Sequence, residues 1–157
     1  MIHVVPCAFL VCQSLVVLFI ALHDWVPLGA LNNLAGIRQV DTTGKLLLGT
    51  IVSTLPFAIG LAASLVYRTS GFPAWLWYWL WATYIACFYG VVRAWYLPYF
   101  FGGDSQRVAR YQARFAGTHS FLPIRNGIVP DTLHVCFHAL LLCTLMLLGT
   151  LAFQQVR

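Results

Sequence analysis

The chain has 157 residues, 61% of them hydrophobic and 8% charged, with a formal net charge of +5 and a mean hydropathy of +0.80. That length suits a single domain, and so large an apolar excess excludes an ordinary soluble protein and leaves the integral membrane class. The basic balance does not point to nucleic acid, because the cations fall in the pattern that orients membrane proteins.

A bilayer core is crossed by roughly 20 apolar helical residues, and the chain holds four uncharged runs of about that length. The first, residues 4–22, has no preceding Lys or Arg and no small-x-small cleavage site after it, so it reads as a span rather than a secretory signal. Residues 23–45 follow. They carry His23, Asp24 and Asn32, and Val26, Leu28, Leu31, Leu34 and Ile37 recur at two- and three-residue intervals. This segment is too apolar for a solvated loop and is expected to lie in the membrane interface.

The second run, residues 46–67, is joined by the short "RTSGFP" to the third, residues 74–92. The third opens on "WLWYWLW", whose Trp75, Trp77, Trp79 and Trp81 point around a helix like an interfacial aromatic collar. Arg93, Trp95, Tyr96 and Tyr99 mark its inner end.

In "DSQRVARYQARFAG", Asp104 or Ser105 suits a helix N-cap and Gly117 a stop. Val108, Tyr111 and Phe115 share one helical face and Arg107, Arg110 and Arg114 another, the pattern of a short amphipathic helix on a membrane surface. Pro123, Asn126-Gly127 and Pro130 then break the chain, and Phe121, Leu122, Ile124, Ile128 and Val129 predict a loop packed onto the helices. Asp131 is placed to cap the fourth run, residues 133–153.

The expected architecture is an all-α integral membrane protein, residues 1–157 forming one domain. Four transmembrane helices make an antiparallel bundle, with a structured interfacial inner cap of residues 23–45 and 93–132 that contains the amphipathic helix. Arg38, Lys45, Arg93, Arg107, Arg110, Arg114 and Arg125 fall on the face of that cap, against Arg68 and Arg157 on the other. The positive-inside rule makes the cap cytoplasmic and puts both termini outside, in a plasma or inner membrane. Cys7, Cys12, Cys87, Cys136 and Cys143 lack the paired spacing of zinc or redox motifs and read as small apolar side chains.

Ionisable residues inside a span are costly unless they face a partner, a cavity or a ligand. His134 and His138 are four apart, hence neighbours on one helical face, with Asp131 one turn earlier. His23 and Asp24 arrive at the same depth from the first span, and His119 comes from the loop. His23, Asp24, His119, His134 and His138 are therefore the candidate acid–base residues, an imidazole oriented by Asp24 or Asp131 being the group that titrates near neutral pH. Arg93, Trp95, Arg125, Asn126 and Asn32 are candidate ligand contacts, the guanidinium groups suiting phosphate or carboxylate.

His134, His138, His23 and Asp131 also have the donor types for a transition metal, zinc or iron, although a chain without glutamate does not suit a carboxylate-bridged di-iron centre. The same imidazoles equally serve as hydrogen-bonding partners that fix helix register. Three functions fit these features: a protein that binds or transforms a lipophilic molecule at a polar inner-face site, a non-catalytic subunit of a larger membrane complex, and a small oligomeric transporter or channel. Membrane lipids are the expected partners, with a homo-oligomer or other membrane subunits beside them.

Overall fold

The computed structural model describes residues 4–156; Arg157, counted above on the outer face, lies outside them. Among the described residues there is no β-strand, only one isolated bridge between Arg125 and Ile128. Four long helices, α1 (Val4–Leu22), α3 (Thr43–Val66), α4 (Ala74–Val91) and α7 (Thr132–Val156), pack in a closed ring: α1 lies against α3 and α7, and α4 completes the circuit against the same two. Their facing side chains make the core, among them Phe9, Val16, Phe57, Leu80, Tyr84 and Leu141. Leu76, Leu80 and Tyr84 recur every four residues, which keeps one stripe of α4 inward.

α1, α3 and α7 are long and apolar enough to cross a membrane. α4 spans 18 residues, but the polar atoms of its many Trp and Tyr side chains lower its hydropathy below the same mark. Outward-facing Leu48, Val52 and Val66 are more than half exposed. In water a surface of that kind would be a large apolar patch of the sort monomeric soluble proteins avoid, and it is what hydrocarbon tolerates.

Shorter elements close the end of the bundle expected to be the inner one. After α1 the chain turns through a 3₁₀ segment (Gly29–Leu31) into α2 (Leu34–Val40), where Asn33 caps the helix by accepting from the Gly36 N–H at 2.9 Å. α3 starts at Thr43, earlier than hydropathy indicated, because the Thr42 hydroxyl accepts from the Lys45 N–H at 3.4 Å. α4 does not stop at residue 92. It runs through a π-helical segment (Val92–Tyr96) into α5 (Leu97–Phe101), with the Leu97 N–H bonded to Val92 O. Such a segment re-aims the side chains that follow it, and buried Trp95 lies within it. α6 (Ser105–Arg114) is capped by Asp104, which accepts from the Arg107 N–H at 2.8 Å.

Candidate functional site

Two short hydrogen bonds fix the start of α7. Asp131 is almost fully buried, and its Oδ1 accepts both from the His134 backbone N–H at 2.8 Å and from His134 Nδ1–H at 2.9 Å. The capping carboxylate therefore also sets the imidazole tautomer. With Nδ1 protonated toward Asp131, Nε2 of a neutral ring is left with its lone pair. One turn on, His138 is buried and its Nδ1 faces the Tyr96 hydroxyl at 3.2 Å.

α1 brings the third ring. His23 stacks on Phe19 with centroids 4.6 Å apart and meets His134 edge-on at 5.6 Å. Phe19 in turn stacks on Phe137 at 4.1 Å, so two aromatic residues of neighbouring helices hold the His23–His134 pair in place. The His134 and His138 rings are 6.2 Å apart, and Trp95 packs on both, at 4.8 and 6.0 Å. His23, His134, His138 and Trp95 are thus brought together.

Asp24 and Asp41 sit beside this row and share one cation. Arg114 donates through Nη2 to Asp24 Oδ2 at 2.9 Å and through Nη1 to Asp41 Oδ2 at 3.0 Å, while Arg110 donates to Asp41 Oδ1 at 2.6 Å. Asp24 Oδ1 also lies 3.3 Å from His23 Nε2, and His23 Nδ1 faces the Phe19 carbonyl at 2.9 Å. Two acceptors favour the imidazolium form of His23, but burial outweighs them. Its pKa is pushed below the ordinary value, first by desolvation, against the pull of Asp24, with His134 and Arg114 adding to the depression.

Asn32 works in the turn rather than in the row. Its Nδ2 donates to the His23 and Val26 carbonyls and its Oδ1 accepts from the Leu28 N–H, all at 2.8 Å. The remaining candidates stand apart. His119 pairs through Nδ1 with Thr132 Oγ1 at 2.8 Å and, through the backbone, with Ala30 and Thr132. The loop after it is held by the Ser120 hydroxyl donating to the Pro130 carbonyl and the Tyr99 hydroxyl of α5 donating to the Pro123 carbonyl; of the apolar residues expected to pack, Ile128 is buried, whereas Phe121 and Ile124 are exposed. Arg125 lies over the Tyr99 and Phe100 rings, and Asn126 Nδ2 donates to the Tyr99 carbonyl at 2.9 Å. Arg93 is exposed and lines none of the cavities around the row.

Among the described residues no three His, Cys, Asp or Glu side chains gather so that they could hold a metal ion. His134, His138, His23 and Asp131 do not make the expected ligand set, because Asp131 and His134 bond each other and His138 bonds Tyr96. Sequence reasoning also left out Arg114, Asp41 and Tyr96. The only signal for the first two was scarcity: with four carboxylates in the chain, each is expected to find a cation.

Three cavities meet at the imidazoles. A groove of about 370 Å³ runs along Phe57, Cys87, Gly90 and Phe137 and ends on His23, His134 and His138. It opens between α3 and α4 at Ser53 and Gly90, both exposed, and a Cβ on Gly90 would meet nothing within 4 Å. A polar cavity of about 230 Å³ lies on the far side of His23, lined by Asp24, Asp41, Lys45 and Arg114. Another of about 230 Å³ reaches His134 beneath Arg110, Tyr111 and Arg114. His23 and His134 are walls between an apolar groove and polar space.

Compared with protein families, curated proteins and solved structures, the chain matches none. Its chemistry is carried by this geometry alone.

Proposed function

We propose that this protein binds a lipophilic molecule bearing a polar head, which enters sideways between α3 and α4 and presents its head to His134 and His23. The observation that carries this reading is the groove itself: apolar walls, a mouth left open by Gly90, and three imidazoles at its inner end. At about 370 Å³ it falls within the roughly 300–1,000 Å³ of small-molecule sites, which are mostly apolar with a few convergent polar groups. His134, held by Asp131, offers Nε2 as the hydrogen-bonding and proton-accepting atom. His23 closes the head region from the other side, and the adjoining polar cavities connect it to the aqueous face.

In the same reading α4 is a fourth span, its tryptophans forming the outer aromatic belt, and the arginine-rich inner end faces the cytoplasm. Membrane lipids surround the apolar outer faces of α1, α3 and α7.

Gly90→Leu tests the assignment. A Cβ there meets nothing within 4 Å, so the added side chain has room at the groove mouth, and removing a helical glycine favours the helix by roughly 0.5–1 kcal/mol. Wild-type protein purified in mild detergent is expected to release a lipophile on organic extraction, identified by mass spectrometry, and Gly90→Leu to release much less while melting no lower. Equal amounts of the same molecule from both proteins would contradict the groove as its site.

A further inference from the structure

At the end of the molecule opposite the carboxylates, the ends of α1, α3, α4 and α7 surround a separate cavity of about 250 Å³, walled by Leu10, Tyr67, Phe72, Trp77 and Leu151. Two polar groups at this cavity, Ser64 and Arg68, make no side-chain hydrogen bond or ion pair among the described residues. Ser64 lines it, is completely buried, and its hydroxyl has no hydrogen-bond partner. A helical serine ordinarily donates to the carbonyl four residues back, as Ser14 does to Leu10 at 2.8 Å. Arg68, on the rim, is exposed and enters none of the ion pairs among the described residues. The carboxylates that carry those pairs, and Asp104 with them, belong to the inner end, so the described residues offer Arg68 no anion there.

We propose that this cavity is a binding site for an anionic phospholipid of the surrounding bilayer. Its volume is just below the roughly 300–1,000 Å³ of small-molecule sites and suits part of one acyl chain rather than a whole lipid. Ser64 lies in the last turn of α3, and Arg68 follows just beyond the C-cap Tyr67, nearer the end of the molecule. That placement follows the lipid's own order from surface to hydrocarbon: the phosphate on the Arg68 guanidinium, an ester carbonyl accepting from the Ser64 hydroxyl, and the chain against Trp77 and Leu151. The guanidinium recognises the phosphate by charge-assisted hydrogen bonds. The buried hydroxyl gains the partner that the protein does not supply.

The test is native mass spectrometry of the protein released from nanodiscs containing equal phosphatidylglycerol and phosphatidylcholine. Wild type is expected to retain phosphatidylglycerol several-fold over phosphatidylcholine, Arg68→Gln to lose that preference, and Ser64→Ala to weaken retention. Arg93→Gln, which removes an exposed arginine at the inner end, is expected to keep it. Equal retention of both lipids by wild type would overturn the proposal. So would an undiminished preference in Arg68→Gln, or a loss in Arg93→Gln as large as that in Arg68→Gln.

Discussion

Arg114 reaches two carboxylates from separate elements, Asp24 after α1 and Asp41 after α2, while 23% of its side chain remains exposed. Each carboxylate is only 12–13% exposed, so removing the shared cation leaves two poorly hydrated charges without compensation. Arg114→Gln is expected to destabilise the protein by roughly 2–3 kcal/mol, a discounted value for breaking a partly buried network. Arg110 meets the same Asp41 with 58% of its side chain exposed, and Arg110→Gln should cost less than about 1 kcal/mol. Thermal melts of the two variants in detergent give the comparison; equal losses would show that exposure does not set their weights.

The sign of the pH dependence follows from His23. Its folded pKa is lowered from 6.5, chiefly by desolvation, so the unfolded chain binds this proton more tightly. Its contribution to stability is complete above about pH 6.5 and is lost as pH falls from there through the folded value. Melting temperature should therefore decline as pH falls below about 7, and His23→Gln should flatten that part of the profile. A profile unchanged by the substitution would assign the decline to other groups.

At the scale of elements, the inner end is assembled by close backbone packing as well as by charge. A Cβ on Gly36 of α2 would lie 2.5 Å from the Ala113 carbonyl oxygen and 3.0 Å from that of Arg114, both backbone atoms of α6. Gly36→Ala should thus push α2 off α6 at a cost of about 1–3 kcal/mol, and loosen the Asp41 contacts to Arg110 and Arg114. Hydrogen exchange localised to α2 and α6 would report it; an unchanged pattern would mean that the two helices yield without strain. α6 itself differs from a helix lying free on a membrane. Its apolar face is used by the protein, with Tyr111 and Phe115 each 4.9 Å from the Trp95 ring and the Tyr111 hydroxyl donating to the Ala94 carbonyl at 2.7 Å. Two of its arginines point at carboxylates rather than at headgroups.

Across the whole molecule, what the sequence made legible was local. Uniform apolar runs announced the long helices, breakers marked the loop before Asp131, and the i, i+4 spacing of His134 and His138 put them on one face. The cap at Asp131 was readable because it spans three residues. Contacts made across the fold were not. Arg114 finds Asp24 ninety residues away and Asp41 seventy-three away, and no periodicity encodes such pairs. Nor does hydropathy reveal the π segment that carries Trp95 and Tyr96 toward His134 and His138. Arg125 and Asn126 looked like ligand contacts by residue type, but the aromatic rings and carbonyls of α5 were nearer partners.

We propose above that a lipophilic molecule lies between α3 and α4 with its head at the imidazoles. Photo-labelling of the protein in membranes with an alkyl diazirine, followed by peptide mapping, tests it most directly. Label is expected to concentrate around Gly90, Val91, Ala94 and Phe137 and to fall in Gly90→Leu. Label spread evenly over the outward residues Leu48, Val52 and Tyr78, with no excess in the groove and no response to that substitution, would contradict it.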